Sequence, residues 1–164
     1  MPSDFTAEII IDFYIPEFMD ASVPLQQISD GIANDSRRNI RQSIDFEDGS
    51  PFHPLAKKTI KDKRRLGVSN ASLPLVRSGV MLNAIHSYKV RANLMVVGVI
   101  SRGSPRRDLV ALIQQEQGVN QFTRLARRFL GVSPKRREWA MARMKRWVAE
   151  RIEKATKEYM KITI

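Results

Sequence analysis

A chain of 164 residues, 43% of them hydrophobic, is enough for one domain of ordinary size with a single buried core. It contains no cysteine, which excludes disulfides and cysteine-based zinc or iron–sulfur sites and fits a protein made in a reducing cytoplasm. The formal net charge of +11 is unevenly spread: residues 1–50 sum to −7, residues 51–100 to +8 and residues 101–164 to +10.

Thr6 to Tyr14 is rich in β-branched and aromatic residues and reads as a strand ended before Pro16, with Ile9, Ile11 and Phe13 on its core side. A helix is predicted over 24–43, because Pro24 suits a first helical turn after Ser22 and Leu25, Ile28, Ile32 and Ile40 recur at helical spacing. Gly31 weakens it, so an unbroken rod and a bend both fit. Asp48-Gly49-Ser50-Pro51 forms a turn, and the proline-bracketed Phe52-His53-Pro54-Leu55 holds the chain extended. Lys57, Lys58, Lys61, Lys63, Arg64 and Arg65 then surround Ile60, opposed only by Asp62. As a helix, this segment spreads its charges around most of the circumference and leaves Ile60 and Leu66 as anchors.

Leu75, Leu82 and Ile85 predict a short helix over 75–85. Strands are expected over 87–92 and 94–100, with a turn near Ala92-Asn93. The basic loop Ile100 to Arg107 follows. Ser104 caps and Pro105 opens a helix over 105–117 that stops at Gly118. Asn120 to Leu130 fits either an irregular crossing or a further strand. Ser133-Pro134 repeats the cap-then-proline signal, and Ala140, Met144, Trp147, Val148, Ile152, Ala155 and Tyr159 keep helical spacing in a last helix over 134–160. The whole is an α+β domain over 1–164: a small, mostly antiparallel sheet packed with helices, the last of them long. Its charge divides it into an acidic strand and helix (1–50), a basic core (51–130) and the C-terminal helix (133–164).

Enzyme constellations are hard to assemble from this sequence, and nothing in it points to a paired-carboxylate hydrolase. His53 and His86 are the only histidines, and neither stands in a metal-ligand spacing. His53, between Phe52 and Pro54, reads as a packing or turn residue. No glycine-rich phosphate loop or nucleophile elbow occurs, and Glu116 has no partner carboxylate nearby. The expectation is a non-enzymatic protein with no catalytic residue, cofactor or metal. No apolar run approaches the roughly 18 residues that a membrane helix needs, and Met1 to Asp4 does not begin a signal peptide, so the chain is expected to be cytosolic when made.

Three basic clusters remain: Lys57 to Arg65, the loop with Arg102, Arg106 and Arg107, and the last helix with Lys135, Arg136, Arg137, Arg143, Lys145, Arg146 and Arg151 beside Trp139 and Trp147. Two readings compete. Such a surface binds DNA phosphates with salt-dependent affinity, or acidic and basic faces meet between identical subunits packed head to tail.

The order of the central pieces resembles the bacteriophage virion morphogenesis proteins of the Mu-like tail completion group. Phe52, Pro54, Leu55, Thr59 and Lys63 match that family's first segment, Leu75, Gly79, Leu82, Ala84 and Ile85 its following helix, and Val97-Gly98 its strand. Ala111 to Gly118 stands where the family has a YAxxHQxG signature, and Arg128-Phe129-Leu130-Gly131 where it has RPFLG, with Arg128 in place of the proline. The resemblance implies a structural virion protein that forms a ring, commonly a hexamer, at the head-proximal end of the tail. Such a ring caps the tail as a completion, terminator or neck component and joins it to the head. The implied partners are identical subunits, the tail tube or terminator and the head–tail connector, with transient contact to packaged DNA and none to a membrane. It shifts the charge question toward subunit contacts, expected at Lys57 to Arg65, at Arg102, Arg106 and Arg107, and at Arg124, Arg127 and Arg128. The alternative is a small basic nucleic-acid-binding protein that acts without a ring.

The loop assignment is open to a direct test. Arg106→Glu with Arg107→Glu is expected to impair ring closure or docking, followed by light scattering, while thermal unfolding stays nearly unchanged. Unaltered assembly would remove the loop from the interface.

Overall fold

The apolar run Leu94-Met95-Val96-Val97 becomes the central strand of the sheet. The computed structural model describes residues 5–12, 20–75, 79–100 and 127–162. Its elements are β1 (Phe5–Asp12), α1 (Ser22–Gln42), α2 (Lys57–Arg65), α3 (Val80–Asn83), β2 (Ile85–Arg91), β3 (Leu94–Ile100) and α4 (Pro134–Ile162). The sheet has the order β1-β3-β2 and both pairings are antiparallel, so the fold is α+β as the pattern of elements indicated. The expected helix over 105–117, the basic loop before it, the stretch 120–126 and the inward side chains of the first strand lie outside the described residues.

The hairpin turns at Ala92-Asn93, where it was expected, and sets Val97 between Ile9 of β1 and Ser87 of β2. Met95, Val97 and Val99 alternate along one face of β3, are fully buried, and belong to the same core as Leu25, Ile28, Ile32 and Ile40 of α1. Each such side chain contributes about 1.5–3 kcal/mol through removal from water. Two polar ties set α1 on the sheet. Asn93 Oδ1 accepts a hydrogen bond from Ala21 N–H at 3.3 Å, just before α1, and the Arg37 guanidinium donates to the Ile85 carbonyl where β2 begins.

α1 runs through Gly31 without interruption and ends at Ser43, whose left-handed backbone (φ 55°) turns the chain into the Asp45–Ser50 loop. The expected helix over 75–85 is corrected to the single turn of α3. Leu75 and Gly79 both have positive φ, 60° and 72°, which interrupts a continuous helix there. Ile85 is recruited instead into β2, opposite Val99, and is fully buried as a strand residue.

α4 begins as its sequence signal indicated: Pro134 is its first residue, and Ser133 Oγ accepts from the Arg136 N–H at 3.2 Å. It runs antiparallel to α1. The Arg136 guanidinium grips Asp35 with two bonds, 2.6 and 3.0 Å, and lies on the Trp139 ring at 4.6 Å. Further along, Arg143 donates to Gln27 Oε1 at 2.8 Å. Gly31 permits this approach, because a Cβ there would meet Arg136 Nη1 at 3.0 Å. Ala140, Met144 and Trp147 complete the core against α1. Beyond them the helix leaves the body, and residues 149–157 are all exposed, Ile152 by 56%. Ile152 and Ala155 therefore continue the apolar stripe without joining the core.

The segment before α4 returns to the loop after α1. Phe129 and Leu130 are buried in the core, and Phe46 N–H bonds the Arg128 carbonyl at 3.0 Å. Gly131 lies against the Phe46 ring so closely that a Cβ would stand 2.2 Å from it. Gly131→Ala is accordingly expected to destabilise the fold by about 1–3 kcal/mol through overpacking. At this chain length that lowers the melting temperature by several degrees in a circular-dichroism melt. The loss should shrink in a Phe46→Ala background, and an unchanged midpoint in Gly131→Ala itself would mean that the ring swings aside at no cost.

Candidate functional site

α2 is a short helix held on the outside of the body by one of its lysines. Ala56, at φ −58° and ψ 144°, brings the proline-bracketed segment in extended, and nine helical residues follow. The far end closes as a Schellman motif: Gly67 takes a left-handed φ of 73°, its N–H bonds the Arg64 carbonyl at 2.9 Å, and Val68 N–H bonds the Lys63 carbonyl at 3.1 Å. Lys63, Arg64 and Arg65 in the last turn sit favourably against the negative end of the helix dipole.

Lys63 is the only buried residue of α2, at 6% exposure, and its ammonium donates to the Leu73 carbonyl at 2.6 Å. Ile60 is half-buried, whereas Leu66 is 55% exposed and does not anchor the helix as expected. Turning Lys63 inward gathers the other five cations. At 3.6 residues per turn, Lys57, Lys58, Lys61, Arg64 and Arg65 fall within an arc of about 120°, over about 12 Å of axis. All five are exposed, and none makes an ion pair or side-chain hydrogen bond with the described residues. The expectation of charges spread around most of the helix is corrected: the spread holds only while Lys63 is counted with the surface.

The other expected contact residues divide. Arg127 is buried, and its guanidinium donates to the His53 carbonyl through Nε at 3.4 Å and Nη2 at 3.2 Å. Desolvation pushes its pKa below the ordinary arginine value. Arg128 bonds Asp45 Oδ2 at 2.8 Å, forms an ion pair with Glu47, and has its guanidinium 6.0 Å from the Phe46 ring centre. The hydrogen bond with Asp45, and after it the charges of Asp45, Glu47 and Asp48, raises the Arg128 pKa despite some desolvation. Arg128 thus ties residues 127–131 to the loop after α1, and Arg127 ties them to the proline-bracketed segment before α2. Lys63, Arg127 and Arg128 hold this chain together, while Lys57, Lys58, Lys61, Arg64 and Arg65 form one outward face. Arg102, Arg106, Arg107 and Arg124 lie outside the described residues. His53 takes part through its carbonyl, and its imidazole is not engaged in these contacts.

The cluster on α4 is dispersed. Arg136 and Arg143 are committed to α1, and Arg151 stacks near Trp147 at 5.7 Å. Lys135, Arg137, Lys145 and Arg146 remain exposed but are spread over about half of the circumference and about 16 Å of the axis. Trp147 is a core residue, and Trp139, although 41% exposed, has one face covered by Arg136.

Sequence reasoning missed the partners Asp35 and Asp45. They pair with Arg136 and Arg128 across 101 and 83 residues, and no local pattern marks such pairs. Among the described residues no group of three or more His, Cys, Asp or Glu is arranged to hold a metal ion, and no helix is long and apolar enough to cross a membrane. No family model, curated protein or solved structure matches this chain.

The division within α2 has a measurable consequence. Lys63→Met keeps the aliphatic stem but leaves the Leu73 carbonyl without its charged donor. It is expected to cost about 1–3 kcal/mol in urea unfolding. Lys57→Ala and Lys61→Ala should each change stability by no more than about 0.5 kcal/mol. Equally small effects at all three positions would make Lys63 an ordinary surface lysine.

Proposed function

We propose that this protein is a structural subunit of a tailed bacteriophage virion: a ring-forming tail completion or neck component that caps the head-proximal end of the tail and joins it to the head. It acts without catalysis or cofactor, is made in the host cytoplasm and ends in the virion. Its partners are identical subunits, in a hexamer by the resemblance, together with the tail tube or terminator and the head–tail connector.

The observation that carries the assembling part of this reading is the projecting end of α4. α4 has 29 residues, about 43 Å of helix at 1.5 Å per residue. Its contacts with α1 run from Arg136 on Asp35 to the neighbourhood of Arg151 and Asp20, two residues before α1 begins. The rest continues past α1 with Ile152 and Ala155 exposed in line with the buried Ala140, Met144 and Trp147 and the half-buried Val148. A helical end of this length, exposed among the described residues, is marginal in water by itself, and packing on an apolar face is what stabilises it. A neighbouring copy supplies that packing, and Glu150, Glu153, Lys154 and Lys157 around the stripe give both signs of charge for fixing its register. Successive copies docked in this head-to-tail manner close into a ring if the rotation permits.

The kind of assembly is supported by the residues of the resemblance. Phe52, Leu82, Ala84, Ile85, Val97, Phe129 and Leu130 come from four separate segments and lie in one core. Lys63 and Gly79 hold the special positions described above, a buried ammonium and a left-handed turn.

The test is the solution mass of the purified full chain by light scattering at low and high salt, with negative-stain images of the same fractions. Annular particles of one discrete mass are expected, and Ile152→Glu should dissociate them without unfolding the subunit. A chain that stays monomeric throughout and does not associate with purified phage tails would sink the proposal.

A further inference from the structure

The outward face of α2 is a concentrated charge that the fold leaves unused. We propose that Lys57, Lys58, Lys61, Arg64 and Arg65 bind the phosphate backbone of duplex DNA without reading its sequence. The inference stands on the geometry of α2 alone and holds whether or not the chain forms a ring.

Three observations lead to a polyanion from outside the chain. First, the five cations share an arc of about 120° and about 12 Å of helix, and B-DNA presents one negative charge per about 1.7 Å of its axis, so several phosphates lie within reach of one such face. Second, the side chains are free to engage: all five are exposed and unpaired among the described residues, so binding breaks no internal contact. Third, the described surface of a second copy of this chain has little to offer them. Its described carboxylates are largely spent at home, Asp35 on Arg136 and Arg38, Asp45 and Glu47 on Arg128, and Glu153 on Lys157. Asp30 accepts from Gln26 and Ser87. Asp20 and Asp48 cap turns, their pKa values lowered first by hydrogen bonds from Ser22 and Ser50 respectively. No cluster of carboxylates among the described residues matches five cations on one short face.

The residue types also decide the mode of binding. Three of the five are lysines, which act as point charges on phosphate and do not fork onto a base edge. Neither Asn nor Gln, the residues suited to reading adenine, occurs in α2. The face is therefore built for backbone attraction, which is electrostatic, independent of sequence and steeply weakened by salt.

The experiment is fluorescence anisotropy of a labelled duplex of arbitrary sequence with the full chain, titrated between about 50 and about 200 mM salt. Two triple variants carry the same charge change: Lys57→Ala, Lys61→Ala, Arg64→Ala on α2, and Arg137→Ala, Lys145→Ala, Arg146→Ala on α4, the latter spread over about 180° of the helix. The α2 triple is expected to lose at least about tenfold in affinity and to flatten the log–log salt dependence by about three, one for each phosphate contact removed. The α4 triple should change affinity by less than about threefold, since dispersed charges engage few phosphates at once. Equal losses in both triples would overturn the proposal in favour of net charge alone, and so would a wild-type chain that does not bind at the lowest salt. If the α2 triple keeps its DNA affinity but loses assembled mass, the partner of the face is another copy and the proposal fails. Light scattering on the same samples separates this from the virion reading: loss of DNA binding with rings intact leaves that reading untouched, and absence of rings with DNA binding intact leaves this one.

Discussion

The structure depends on the burial of one face of β3 beneath α1. Met95, Val97 and Val99 are fully buried there with Leu25, Ile28, Ile32 and Ile40, and the other elements are placed relative to that contact. β1 and β2 pair with the two edges of β3, α4 lies along α1, and Phe129-Leu130 fills the core before α4 starts. The ties at its margin are polar and few. Asn93 holds the start of α1, Arg37 holds the start of β2, and the bidentate Arg136–Asp35 pair holds α4. Side-chain shape therefore sets the layers and hydrogen bonds set their registration.

The uneven charge of the chain acquires a meaning only on folding. The acidic first third and the basic remainder meet inside the molecule, through Asp35 with Arg136 and through Asp45 and Glu47 with Arg128. Asp20 lies within range of Lys89 and Arg151 as well. These pairs close the loop after α1 and align α4. What they leave over is a positive excess, and among the described residues its densest expression is the outward side of α2. Charge complementarity between the two parts of the chain is thus used first for folding, and the α2 face is what remains for an external partner.

The residues that carry the family resemblance turn out to serve packing and backbone geometry. Phe52, Leu82, Ile85, Val97 and Phe129 fill the core, Gly79 makes a left-handed turn, and Lys63 binds a carbonyl. In the readings proposed above, function is carried by surfaces instead, the end of α4 and the basic face of α2.

Much of the framework was legible because its signals are local. The apolar run of β3, the Ala92-Asn93 turn, the helical spacing of α1 and the Ser133-Pro134 start of α4 all depend on neighbours within a few residues. The basic composition of α2 was equally plain. Tertiary structure alone decided that helix 75–85 contracts to one turn, because Ile85 has a partner in Val99 that local spacing does not reveal. It alone decided which cations are free. Lys63, Arg127 and Arg128 read in the sequence like their neighbours, and only the carbonyls of Leu73 and His53 and the carboxylates of Asp45 and Glu47, brought close by the fold, remove them from the surface. It also decided that the apolar stripe of α4 outlasts the core, since a helix's spacing tells which residues share a side and not how far the body beneath them extends.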